Sequence, residues 1–173
     1  MGRTREAIRR EAEKLLQASG TLRAPVSLRD VVSVLNLSLV EKAHEPFAAE
    51  AALTTVGDGR AIELNGPVSE RRRRFTIAHE IGHFVLHPGR VAPERGGPTN
   101  VASGRQEREA DAFAAELLMP EHLVRQATLE EGADPRRLAD RFEVSEQAMT
   151  IRLQRLGLVE RQSDLLPPSR GVL

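Results

Sequence analysis

The sequence predicts an α+β fold, mostly helical, with a small antiparallel sheet in its first half and a helix-turn-helix-like segment towards its C-terminal end. Three observations carry that expectation. Apolar residues recur at three- and four-residue spacing through most of the 173 residues. Two short apolar runs flank Gly57-Asp58-Gly59, as the arms of a hairpin do. Near residue 145 a serine-capped break separates two helical stretches.

Taken in order, residues 4–19 read as a helix with Ala7, Ile8, Ala12, Leu15 and Leu16 on one face, and Gly20 ends it. Ser27 caps a second helix whose buried face is Leu28, Val31, Val32 and Leu35. Leu37–Val40 alternates as a short strand, and Ala51–Val56 with Arg60–Leu64 forms the hairpin. Asn65-Gly66-Pro67 breaks the chain before a long helix from Ser69 to Leu86. Residues 88–104, with three Pro and four Gly, read as a mobile loop. Helix returns over Arg105–Met119, stopped by Pro120, and three helical segments follow at 121–131, 135–142 and 145–156. Residues 161–173 read as a flexible tail.

Composition narrows the function. Twenty-five basic and 25 acidic residues cancel, so overall charge argues for neither nucleic acid nor an anionic membrane as main partner. No cysteine is present, which removes disulfides, thiol catalysis and every Cys-ligated metal site. Five Phe are the only aromatics, so the core must be aliphatic. The polar start, Met1 to Glu6, runs directly into an amphipathic helix, and no apolar run approaches the ~18 residues that span a bilayer. The expectation is a soluble, cytoplasmic protein without a signal peptide.

The chemistry concentrates in His79-Glu80-Ile81-Gly82-His83, a His-Glu-x-x-His motif on the long helix. Residues four apart stack on one helix face, so both imidazoles can reach one ion at roughly 2.0–2.1 Å. Glu80 points partly aside, where it can take a proton from water without ligating. Phe75, Ile77, Ala78, Ile81, Gly82, Phe84, Val85 and Leu86 cover about 200° of the helix surface. Thr76, His79, Glu80, His83 and His87 fill the remaining arc. On so apolar a helix a stripe of this kind must face a cleft, where a metal or strong partners satisfy it. His87, one turn past His83, is a candidate to bind substrate or steady a developing oxyanion.

A zinc hydrolase uses three protein ligands and leaves one position to water. The metzincin continuation is absent, since Leu86 and Gly89 stand where Gly and His would be needed. The third ligand must then be a carboxylate from another helix, and residues 106–120 supply one. Ala110, Phe113, Ala114 and Leu117 form the apolar seam of that helix. Glu107 and Glu109 flank the seam on opposite sides, and helix geometry alone does not choose between them.

Arg74 to His83, followed by Glu109-Ala110-Asp111-Ala112-Phe113-Ala114-Ala115-Glu116-Leu117-Leu118-Met119-Pro120, resembles the ImmA/IrrE family of bacterial metallopeptidases. The resemblance spans roughly residues 27–120 and implies a zincin-like peptidase core over residues 1–120, with residues 121–160 as a helix-turn-helix-like appendage. It places the zinc ligands on His79, His83 and Glu109 and the general base on Glu80. Manganese or iron would also suit two His and one carboxylate. Asp111 stands where the family usually has Asn and can still orient a ligand imidazole. Family members are implicated in cleaving helix-turn-helix repressors in stress responses and mobile elements, so a repressor is the expected protein substrate. Arg60–Leu64, just before the active-site helix, is a candidate edge strand for an extended substrate.

Residues 138–153 have helix-turn-helix spacing, yet residues 134–161 hold six Arg against five acids, far from a basic DNA footprint. Direct DNA binding is therefore not favoured. Arg71–Arg74, the one dense basic run, reads as a solvated face. The competing reading is a metal- or DNA-binding regulator without turnover, and Glu80→Gln separates the two.

Overall fold

The computed structural model describes residues 2–42, 50–88 and 104–160. Most of the loop expected at 88–104 and the whole tail expected at 161–173 lie outside the described residues. The elements in chain order are α1 (Arg5–Ala18), α2 (Leu28–Val34), β1 (Leu37–Lys42), β2 (Ala51–Val56), β3 (Gly59–Asn65), α3 (Glu70–Leu86), α4 (Gly104–Leu118), α5 (Glu121–Glu131), α6 (Pro135–Phe142) and α7 (Glu146–Arg155). The helix starts follow side-chain chemistry. Thr4, Ser27, Ser69 and Ser145 each accept the N–H three residues on, opening α1, α2, α3 and α7. Each such cap is worth about 1 kcal/mol. Among the described residues no helix is long and apolar enough to cross a membrane.

The hairpin forms as expected: Val56 pairs with Gly59 across Gly57-Asp58, and Gly57 takes the positive φ of +59° that the tight turn requires. The sheet, however, is mixed rather than antiparallel. Strand order is β1-β3-β2, with β2 antiparallel and β1 parallel to β3. Alternation in a strand says which face each residue takes but nothing about the direction of its neighbour, so β1 carried no signal of its pairing. The same order corrects the expectation for Arg60–Leu64. As part of β3 that segment is central and hydrogen-bonded on both sides, so it offers no free edge. The strand that pairs on one side only, among the described residues, and also lies along α3 is β2.

Helices α3 and α4 are the core pair. Gly82 is what lets them meet: a Cβ there would sit 3.1 Å from both the Cα and the carbonyl oxygen of Ala110 and 3.3 Å from the Cβ of Phe113. Around this point Ala78, Ile81, Ala110, Phe113, Ala114 and Leu117 are fully buried. The backbones run antiparallel here, which brings the polar stripe of α3 against the first turns of α4.

The basic run is solvated at Arg71 and Arg72, as expected, yet each of its arginines also has an acidic partner. Arg71 pairs with Asp140 and Arg74 with Glu143, tying α3 to α6 and its turn, while Arg72 and Arg73 reach Glu50 and Glu41. Arg74 also donates to the Val26 carbonyl at 2.9 Å. On the other side Arg152, buried on α7, grips Glu116 of α4 through two hydrogen bonds of 2.7 and 2.6 Å and donates to the Met119 carbonyl. A buried arginine of this kind needs its fixed partners, and both come from the segment that carries the candidate site.

Candidate metal centre

The site begins with spacing. His79 and His83 lie one turn apart on α3, and their Nε2 atoms face each other at 3.0 Å. From α4, the carboxylate of Glu107 closes on both: Oε2 is 3.1 Å from His79 Nε2 and Oε1 is 3.3 Å from His83 Nε2. His83 is buried, with 1% of its side chain exposed, whereas His79 retains 17% and is the solvent-facing member. The imidazole planes are nearly perpendicular, with centroids 4.6 Å apart.

Glu109, the expected third ligand, lies apart from this cluster, in which Glu107 is the carboxylate. Glu109 is buried on the flank of α4 turned towards the N-terminal segment. There its Oε1 accepts the Arg3 backbone N–H at 3.1 Å and lies 3.4 Å from Arg105, and its Oε2 is 3.9 Å from His87 Nε2. The reason is angular. Two residues on a helix are about 200° apart, so only one of the two glutamates can face α3. A signal for the one that meets the imidazoles was present: Glu107 is four residues before Asp111 and shares its face.

Asp111 does reach one imidazole of the cluster. Its Oδ1 accepts from His79 Nδ1 at 2.9 Å. Holding the proton on Nδ1 leaves the Nε2 lone pair directed at the convergence point. Burial, the largest single influence, pulls the proton affinity of His79 down; the Asp111 hydrogen bond and charge, with the charges of Glu80 and Glu107, more than offset it and hold the pKa above its ordinary value. Glu80 is half-buried beside His79 and contributes to that field without belonging to the ligand cluster. His87 closes the row, its ring 5.6 Å from that of His83, but it is turned to Glu109.

The residues present fit a metal ion. Four bonds of 2.0–2.1 Å in a tetrahedron separate neighbouring donor atoms by about 3.3 Å. Here the two imidazole nitrogens are 3.0 Å apart, each has one of the two Glu107 oxygens 3.1–3.3 Å away, and one ligand atom from each of the three residues lies within 4.8 Å of the others. Two nitrogens and a carboxylate form a donor set suited to zinc, and equally to manganese or iron.

Comparison with known proteins points the same way. The family model for the IrrE N-terminal-like domain of M78 peptidases matches residues 32–154, which takes in the whole cluster. An uncharacterized immunity region protein of Bacillus phage phi105 is 37% identical over 65 residues, 38% of this chain and 41% of that protein. A Mycobacterium tuberculosis transcriptional regulator of known structure superposes with a TM-score of 0.63 at 21% identity, over 91% of this chain and 48% of its own; that likeness concerns the fold. This chain spans less than half the length of either relative.

Proposed function

The chain belongs to the ImmA/IrrE family of M78 peptidases, and from that premise we propose that it is a zinc-dependent endopeptidase whose substrate is a helix-turn-helix repressor. The observation that carries the reading is the convergence of His79, His83 and Glu107 on one point, with Asp111 fixing the tautomer of the exposed imidazole. Those three side chains hold the ion. When bound, it supplies Lewis acidity at the scissile carbonyl and makes water acidic enough to be used near neutral pH.

Glu80 does the proton work. It takes a proton from the attacking water as the new C–O bond forms and delivers it to the amine as the C–N bond breaks. Burial of His83 and the Asp111 hydrogen bond to His79 keep both imidazoles in place during these steps. An extended substrate would run along β2, whose outer side is open among the described residues and which lies beside α3.

The repressor substrate rests on the family and on the phage relative, which is itself named for an immunity region. The reading places the protein in the cytoplasm, where such repressors act. The test is incubation with a helix-turn-helix repressor from the same genome, with and without chelator. Cleavage should require metal and fall by about 10²–10⁴-fold in Glu80→Gln, which should still take up zinc. If that variant cleaves as well as the parent, the peptidase assignment is wrong. If neither form cleaves but both bind metal, the protein is a regulator without turnover.

A further inference from the structure

A groove of about 600 Å³ runs between α3, α4 and α7 and is bounded at one end by Asp111, the partner of His79. It therefore adjoins the candidate metal centre through Asp111. Phe75, Met119 and Ile151 give it an apolar floor, and Ile151 is 40% exposed, unusual for an isoleucine on a helix that otherwise buries its apolar face. Several arginines line the groove, but most are committed: Arg71 to Asp140, Arg72 to Glu50, and Arg152 to Glu116. Arg155 is the exception. No carboxylate among the described residues pairs with it, although Asp111 and Glu116 are near enough to be felt. Burial, followed by the like charges of Arg5 and Arg152, disfavours its cationic form. A second pocket of about 370 Å³ continues past Arg155 towards Arg5. Among the described residues, Arg155 is thus a lining cation without a direct carboxylate partner, although acids such as Asp111 and Glu146 also line the groove.

The face of α7 that lines this groove, Ser145, Ala148, Ile151 and Arg155, is the face a helix-turn-helix would present to a base pair. To read DNA, such a face must project into a major groove about 12 Å wide. Here it is instead one wall of a cleft whose other wall is the first turns of α3, at Ser69 and Arg72. A duplex cannot enter a concavity of that size, whereas a single polypeptide segment can.

We propose that this groove docks the polypeptide substrate, taking a segment that lays an aliphatic side chain on Ile151 and Met119 and offers an acidic side chain to Arg155. The identity of the occupant as a substrate rests on the peptidase reading; the binding chemistry does not. Docking beside Asp111 would hold the chain while a neighbouring stretch enters the metal centre, so Arg155 acts as a specificity determinant and not in the bond-breaking step.

The test measures fluorescence anisotropy of two labelled peptides on the full chain in a Glu80→Gln background, which removes turnover. One is a twelve-residue peptide of leucine, alanine and glutamate; its twin carries glutamine for every glutamate. The acidic peptide should bind about fivefold more tightly, the worth of one partly exposed ion pair. Arg155→Glu should erase that preference, and Ile151→Asp should weaken both peptides alike. Arg29→Glu, exposed on α2, should change neither. The proposal is overturned if the preference survives Arg155→Glu or if neither peptide binds. It is equally overturned if a duplex of about 20 base pairs binds through Arg155 and displaces the acidic peptide. Failure of repressor cleavage with peptide binding intact would instead remove the peptidase reading and leave the docking groove.

Discussion

Glu107 and Glu109 differ by two positions and occupy opposite environments. The first stands with two imidazoles at the cleft; the second is buried against the Arg3 backbone and Arg105. Their substitutions should therefore separate cleanly. Glu107→Gln should weaken zinc binding by at least the 10–100-fold typical of disturbing a site's supporting residues, since it removes a ligand charge outright. Glu109→Gln should leave affinity nearly intact and lower stability, because it removes an anion that receives a backbone N–H and a guanidinium. Competition with a chromophoric chelator and thermal unfolding read the two effects; equal loss of affinity in both variants would show that the ligand is not set by this geometry. The placement of the His pair and Glu80 was legible because spacing along one helix fixes it. The glutamate was not, because the rotation of α4 about its axis depends on how it crosses α3. The four-residue relation of Glu107 to Asp111 was the available clue to which glutamate meets the imidazoles, whereas the resemblance implies Glu109, on the other side of the helix.

At the scale of elements, the site depends on the closeness of α3 and α4, and that closeness depends on one glycine. Gly82 sits in the His-Glu-x-x-His motif at a position whose identity the motif leaves free, yet a side chain there would meet backbone atoms of Ala110. Gly82→Ala gains about 1 kcal/mol of helix propensity. Against it stands an overpacking cost of about 1–3 kcal/mol, since the nearest neighbours are the Ala110 backbone and the Phe113 Cβ, neither of which can swing aside. The net expectation is destabilisation of about 1 kcal/mol together with weaker zinc binding, because His83 and Glu107 are pushed apart. Urea unfolding and the chelator assay check both; a more stable variant with unchanged affinity would show that the helices can separate at no cost. Most element boundaries were readable from capping serines and breakers, since these act locally. The parallel pairing of β1 was not, because it joins segments through a partner strand and has no local cause. Nor were the partners of Arg71–Arg74, which lie on β1, on α6 and the turn after it, and just before β2.

Across the whole molecule, long-range ion pairs and the metal should dominate the response to conditions. Glu121, at the start of α5, accepts from Arg125 and from Arg9 of α1, joining the first helix to the C-terminal segment. The Arg125 hydrogen bond is the main cause that holds its pKa below the ordinary 4.5, assisted by the charge of Arg125 and by Arg9, against a smaller opposing effect of burial. A depressed folded-state value means that the stabilisation is present above the unfolded value of about 4.5 and disappears as pH falls through the lower folded one. The stability gap between parent and Glu121→Gln should hold at neutral pH and close below about 4.5; a gap independent of pH would exclude this linkage. Metal should act in the opposite regime. Its ligands must be deprotonated and are brought together only by the fold, so zinc binds the native state and adds about 2.7 kcal/mol at a free concentration one hundred times Kd. For a chain of this length that corresponds to a rise in Tm of roughly 5–11 °C. The rise should vanish in His83→Ala, shrink in Glu107→Gln and persist in Glu80→Gln. A Glu80→Gln protein whose Tm no longer responds to zinc would mean that Glu80 itself holds the ion, and the division of labour between three ligands and one proton carrier would have to be redrawn.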